Sequence, residues 1–151
     1  MKSRRVSSDG DDMNEGAYLY FRISGNNLDI KAITKELNIT AYNTHKKGEI
    51  YKSKYGEFIC PEDSWQTQYE IPTEQLLENA IIEFIKPYLS KKSFITNLQK
   101  EHAVSLWLSL YPYENQMTTS LSKKMIAILH DINIEFNITA TYLSDFYDGK
   151  I

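Results

Sequence analysis

The sequence predicts an α+β domain, with one mixed or antiparallel sheet and helices packed on one face, in a ferredoxin-like or related split β-α-β arrangement. Two stretches with strict period-two alternation, residues 104–111 and 134–142, predict strands that each have one apolar side. Between them, apolar residues recur at helical spacing over residues 125–132, which predicts a helix covering the apolar side of both strands.

The first strand is predicted over residues 17–23, where apolar and polar side chains alternate up to a turn at residues 25–27. A helix follows over residues 30–37. Asp29 or Asn27 is a suitable N-cap, and Asn38 suits a left-handed exit from the helix.

Residues 39–71 contain few apolar positions, and they predict loops and short strands, including a hairpin that turns at Tyr55-Gly56. Alternation over residues 65–71 predicts a further strand. Thr73 is the predicted cap of a longer helix, and Pro87 should end or kink that helix near Ile85. One or two helical turns are expected within residues 93–100.

After the strand at residues 104–111, residues 113–116 predict a polar turn, and Ser122 is the predicted cap of the last helix. Asn133 is placed to end that helix. The predicted organisation is a disordered tail at residues 1–16, a single α+β domain at residues 17–143 and a frayed carboxyl end at residues 144–151.

The composition excludes several classes of protein. The chain has 151 residues, a formal net charge of −3 and one cysteine, so it has no internal disulfide and no cationic field that would attract nucleic acid. It contains no secretory signal and no apolar run long enough to cross a bilayer. These features predict a cytoplasmic protein with no cofactor.

Several segments resemble a bacterial family known as domain-of-unknown-function family 4279. The segments that carry the resemblance are Tyr20-Phe21-Arg22-Ile23, Ile33-Thr34, Leu37-Asn38-Ile39, Lys46-Lys47-Gly48, Trp65 and residues 134–142. Ala41 stands where the family usually has a proline, and Asn133 where it has a glycine. The resemblance covers about residues 17–143 and implies a fold and a small bacterial cytoplasmic protein. By analogy, such domains suit an immunity role in toxin systems.

The sequence shows no motif that carries chemistry. His45, His102 and His130 lie on separate predicted elements without the paired spacing of a metal site, so we expect no metal. Cys60, in the Phe58-Ile59-Cys60-Pro61 segment, is expected to be a half-buried structural thiol.

Two places remain as candidate binding sites. The first is the basic loop at residues 44–48, where His45 and Lys47 would bind an anion, although a solvated loop is the simpler reading. The second is the sheet face away from the helices. The alternation places on that face a set of aromatic and basic side chains: Tyr18, Tyr20, Arg22, Trp107 and Tyr111.

Three interpretations of that face are open: it is covered by residues 40–71 through Tyr51, Phe58 and Trp65, it binds another protein, or it stacks single-stranded nucleic acid. We favour a non-enzymatic interaction module that acts by steric occlusion of a toxin or regulatory partner. The alternative is a small hydrolase or transferase with His45 or His102 as base. The acidic charge disfavours nucleic acid, and the sequence does not indicate an oligomeric state.

Overall fold

The computed structural model describes residues 4–6, 12–14, 16–112 and 119–141. The strands are β1 (Arg4–Val6), β2 (Asp12–Asn14), β3 (Gly16–Gly25), β4 (Asn43–His45), β5 (Ile50–Ser53), β6 (Gly56–Ile59), β7 (Asp63–Ile71), β8 (Ala103–Tyr111) and β9 (Glu135–Ala140). The helices are α1 (Ile30–Leu37), α2 (Leu77–Leu89), α3 (Lys92–Leu98) and α4 (Lys123–Ile132).

The main sheet has five strands in the order β4-β7-β3-β8-β9. The first three neighbouring pairs are antiparallel, whereas β8 and β9 are parallel, so the sheet is mixed. The order β4-β7-β3-β8, with α1 after β3 and α2 after β7, is the ferredoxin-like split β-α-β arrangement. A parallel β8-α4-β9 unit adds the fifth strand. The α+β fold predicted from the alternation is therefore confirmed.

One apolar core lies between the sheet and the four helices. The core face of β3 contributes Leu19, Phe21 and Ile23, all fully buried. Phe21 stacks on Tyr88 of α2 with ring centroids 3.7 Å apart, and the Tyr88 hydroxyl is hydrogen-bonded to Thr67 of β7. All four helices contribute buried residues to this one cluster, so they pack on the same side of the sheet, as the sequence predicts.

Four helix ends lie at the positions that their capping residues predict. Asp29 accepts a hydrogen bond from the Ala32 amide and caps α1, and Ser122 accepts one from the Met125 amide and caps α4. Asn38 and Asn133 end these helices in the left-handed region, with φ of 55° and 57°. A short polar side chain tolerates that conformation better than most residues do.

The predicted start of α2 is wrong, and the helix does not end near Ile85. Thr73 does not cap the helix, because residues 72–75 form a turn in which the Gln75 amide donates to the Pro72 carbonyl, and α2 begins at Leu77. The helix also continues through Pro87 to Leu89. Glu83, whose carbonyl loses its helical donor there, is on the exposed side, where water can replace that donor.

The segment predicted to be a disordered tail contains β1 and β2, which pair antiparallel with each other and form a sheet of their own. The other residues before Gly16 lie outside the described residues. The predicted turn at residues 113–116 and the predicted frayed end at residues 144–151 also lie outside them.

Candidate functional site

The sheet face opposite the helices carries the aromatic and basic residues that the alternation assigns to it. In the β3–β8 register, Tyr20 lies opposite Trp107, Arg22 opposite Ser105, and Tyr18 opposite Ser109. Tyr111 lies opposite Gly16 at the end of the same face. We call this surface, defined by Tyr18, Tyr20, Arg22, Trp107 and Tyr111, the aromatic face.

The two ends of the aromatic face differ in exposure. Tyr18 is only 8% exposed, and its ring contacts Tyr20 and Tyr111 at centroid distances of 6.4 and 5.8 Å. Tyr20, Arg22 and Trp107 are half-buried. The end near Tyr18 is therefore the more closed of the two, with Tyr111 half-buried there, and the end near Arg22 and Trp107 is partly open to solvent.

Burial makes the phenol of Tyr20 harder to ionise. Desolvation raises the pKa of Tyr20 far above its ordinary value, and the neighbouring phenols of Tyr111 and Tyr18 raise it further. The hydroxyl of Tyr20, like that of any tyrosine, is neutral at physiological pH, and the shift extends this neutral state to more alkaline pH. Arg22 is the only cation among the five residues of the aromatic face.

A recess of about 480 Å³ lies at the open end of the aromatic face. Its lining is mixed in charge and polarity: Arg22, Ser24, Gln99, His102, Ala103, Val104, Ser105, Trp107 and Glu135. We call it the Trp107 recess. The Trp107 indole donates to the Ser105 hydroxyl at 2.9 Å, which fixes the ring, and Arg22 lies 3.6 Å from Glu62.

Trp65 does not cover the aromatic face, so that part of the covered-face prediction is wrong. The strand pairing places Trp65 opposite Ile23 on the core side, where it is fully buried and its indole donates to the Thr34 hydroxyl of α1 at 3.0 Å. Tyr51 and Phe58 lie on the separate β5–β6 hairpin and are 47% and 51% exposed.

His102 lines the Trp107 recess with its ring packed against the backbone of Gly25. Its Nε2 donates to the Asn26 carbonyl at 3.0 Å. Nδ1 is buried and has no hydrogen-bond partner among the residues that the structure describes. With one nitrogen engaged and the other buried, His102 is suited to holding the β3–α1 turn, and this geometry disfavours it as a base.

A match to one known family covers most of the chain. Residues 15–143 match the family described as Domain of unknown function (DUF4279). The chain belongs to this family. No curated protein and no solved structure matches it. Within the described residues of this DUF4279 domain, no helix is long and apolar enough to cross a membrane.

His45 of the DUF4279 domain lies on the same side of the sheet as the aromatic face, at its outer edge. The register aligns His45 with Ser64 and Ser64 with Ser24. His45 is half-buried, whereas Lys47, the second predicted residue of the basic loop, is exposed. The structure therefore brings the basic loop near the aromatic face but does not merge the two sites.

The buried carboxylate of Asp63 organises the basic loop. It accepts hydrogen bonds from the amides of Lys47 and Leu28 at 2.8 and 3.0 Å, and from the ammonium of Lys46 at 3.3 Å. The Lys47 and Leu28 amides, followed by Lys46, hold the pKa of Asp63 below its ordinary value. Since Lys46 is paired in this way, the loop is less available to a second anion than its sequence suggests.

The DUF4279 domain also has a groove that sequence reasoning missed. The groove, of about 460 Å³, lies between β7 and α2 beyond the end of the short strand β4. It is mostly apolar, and its walls include Ile39, Tyr42, Tyr69, Phe84, Pro87 and Tyr88. The sequence predicts the strand and the helix, but the groove exists because β4 pairs with only the first part of β7.

Proposed function

We propose that this protein is a non-enzymatic interaction module that binds another protein through the open end of the aromatic face. The observation that carries the proposal is the Trp107 recess, where an indole, a guanidinium and a carboxylate line one cavity at the surface. Trp, Tyr and Arg are the residues that most often provide the binding energy of protein interfaces. A steric mechanism needs no catalytic group.

The partner should present a basic side chain to the recess. Glu135 and Trp107 both line the cavity, so the stem of a lysine or arginine can pack on the indole while its charged end approaches the carboxylate. Arg22 is partly neutralised by Glu62. The net charge of −3 favours association with a basic partner over long range.

These features suit a role as a cytoplasmic bacterial protein that neutralises a basic toxin or restrains a basic regulatory partner. The module would cover the partner's functional surface by occlusion. The proposal of bacterial origin follows from the family resemblance, and the proposal of a cytoplasmic location from the single cysteine.

The test compares Trp107→Ala with Tyr55→Ala as bait in pull-downs, followed by calorimetry on the purified complex. Tyr55 is 79% exposed at the tip of the β5–β6 hairpin, so its substitution controls for loss of any surface aromatic ring. We expect Trp107→Ala to weaken binding of a basic, stoichiometric partner by about 30-fold, the effect of losing about 2 kcal/mol at an interface hot spot. Tyr55→Ala should bind normally.

Charge reversal provides a second arm of the same test. Glu135→Lys should abolish binding to the basic partner, whereas Glu57→Lys on the β5–β6 hairpin should leave it nearly unchanged. Equal affinities of wild type and Trp107→Ala for every captured protein would contradict the proposal. Binding of single-stranded nucleic acid that weakens steeply with salt would favour the nucleic-acid alternative instead.

A further inference from the structure

Three side chains that can bind a metal converge beside β4. The imidazole of His45, the carboxylate of Glu49 and the thiol of Cys60 each place one potential ligand atom within 4.8 Å of the other two. His45 Nδ1 and a Glu49 carboxylate oxygen are 3.5 Å apart. We call this group the His45 cluster, and the aromatic face and the Trp107 recess make no use of it.

The backbone holds the His45 cluster together through a short turn and the base of the hairpin. The Glu49 amide donates to the Lys46 carbonyl at 3.0 Å, which closes the turn after β4. Cys60 and Glu49 then lie side by side, because the Cys60 amide donates to the Glu49 carbonyl at 2.9 Å and the Gly48 amide to the Cys60 carbonyl at 2.8 Å. The three side chains therefore start from fixed positions.

The separations fit a tetrahedral ion. Nitrogen, oxygen and sulfur ligands at ordinary zinc distances stand about 3.4–3.6 Å from one another around a tetrahedron. The His45–Glu49 pair already has that spacing. Rotation of the Cys60 side chain needs to bring its sulfur closer to the other two ligand atoms by at most about 1.3 Å. Cys60 is half-buried, and the side chains of His45 and Glu49 are 26% and 50% exposed, so an ion can enter from solvent.

We propose that His45, Glu49 and Cys60 form a binding site for one Zn²⁺ ion, with solvent as the fourth ligand. One nitrogen, one oxygen and one sulfur ligand suit a borderline-soft divalent ion better than Mg²⁺ or Ca²⁺, which prefer oxygen alone. Binding releases the thiol proton to the buffer and leaves a metal-bound thiolate. The ion would join the β5–β6 hairpin to the edge of the main sheet, independently of any protein partner.

The test is a titration of the full, reduced chain with Co²⁺, which occupies zinc sites and reports its ligands by absorption. We expect a thiolate-to-cobalt charge-transfer band and the visible bands of a four-coordinate ion, saturating at one equivalent and lost on addition of Zn²⁺. Cys60→Ser should abolish the charge-transfer band. His45→Gln and Glu49→Gln should each weaken binding at least tenfold.

His130→Gln and Glu57→Gln are the matched controls, because both residues are exposed and lie outside the cluster, and both variants should bind as wild type. Circular dichroism checks that each variant is folded, and Zn²⁺ should raise the Tm of wild type but not of His45→Gln. The proposal fails if wild type shows no charge-transfer band at one equivalent. It also fails if His45→Gln binds Co²⁺ as tightly as His130→Gln does.

Discussion

Gly25, at the end of β3, lies in close contact with His102. Its φ is +151°, and a Cβ at this position would lie 2.8 Å from His102 Cδ2. The Nε2 hydrogen bond to Asn26 fixes the imidazole ring, so the ring cannot move away freely. A side chain at residue 25 would therefore strain both the backbone and the packing of His102.

Gly25→Ala should lower the free energy of unfolding by about 1–3 kcal/mol, measured by urea denaturation. Gly48→Ala is the control, because Gly48 has a φ of +88° and nothing lies within 4 Å of its added Cβ. That substitution should cost only about 1 kcal/mol from the backbone. If Gly25→Ala loses as much stability in a His102→Ala background as in wild type, contact with the imidazole is not the cause.

Asp63 should make the stability of the protein depend on acid pH. Its pKa is lowered in the folded state, so its carboxylate contributes stability above the unfolded pKa of about 3.9. That contribution is lost as the pH falls through the folded pKa. Asp63→Asn should therefore destabilise the protein at pH 7 and flatten the dependence of unfolding free energy on pH below about 4.

Asp131→Asn is the matched control for Asp63→Asn. Asp131 is exposed and pairs with Lys92 at 3.0 Å on the surface, where an ion pair contributes little. At pH 7, Asp131→Asn should change the urea midpoint less than Asp63→Asn does. Below about pH 4, its unfolding free energy should depend on pH as that of wild type does. If the unfolding free energy falls equally steeply with acid pH in wild type and Asp63→Asn, the assignment to Asp63 is contradicted.

Among the elements, α4 depends most visibly on its capping residue. Ser122 accepts a hydrogen bond from the Met125 amide and donates one to Glu78 of α2, so a single hydroxyl caps one helix and joins it to another. Ser122→Ala should lower the free energy of unfolding by about 1 kcal/mol, measured by thermal or urea denaturation. Ser120→Ala, an exposed serine before the helix, should change it by less than about 0.5 kcal/mol.

The starts of α1 and α4 were predictable because the side chains of Asp29 and Ser122 accept hydrogen bonds from backbone amides of the first turn. Their ends were predictable because asparagine tolerates the left-handed conformation there. The start of α2 was not predictable, because its N-cap is Leu76, which makes no side-chain cap hydrogen bond. Its last turn persists past Pro87 because Tyr88 stacks on Phe21 of β3. That contact joins residues far apart in sequence, and local patterns do not reveal it.

Over the whole molecule, the described elements should differ in local stability. β3 is paired along nearly its whole length on both sides, whereas the β5–β6 hairpin pairs only with itself and is largely exposed. Hydrogen exchange measured by mass spectrometry should show fast exchange over residues 50–59 and the slowest over β3 and β8. Uniform protection of the hairpin and β3 would contradict this expectation.

The sequence predicted the sheet face but not the sites that depend on distant residues. Period-two alternation is a local property, so it correctly grouped Tyr20, Arg22 and Trp107 on one face. The His45 cluster needs Cys60 to return beside Glu49 across a hairpin. A metal-binding motif in a sequence consists of closely spaced ligands, so it does not reveal a site whose ligands are brought together only by the fold.

The strand order determines when the sheet can be completed during synthesis. β3 lies at the centre of the sheet, yet one of its neighbours begins at Asp63 and the other at Ala103. The central strand therefore leaves the ribosome well before either neighbour, and both of its edges stay unpaired until those neighbours are made. Long-range pairing of this kind slows folding, and a nascent chain of this protein is expected to need protection from aggregation until β8 has emerged.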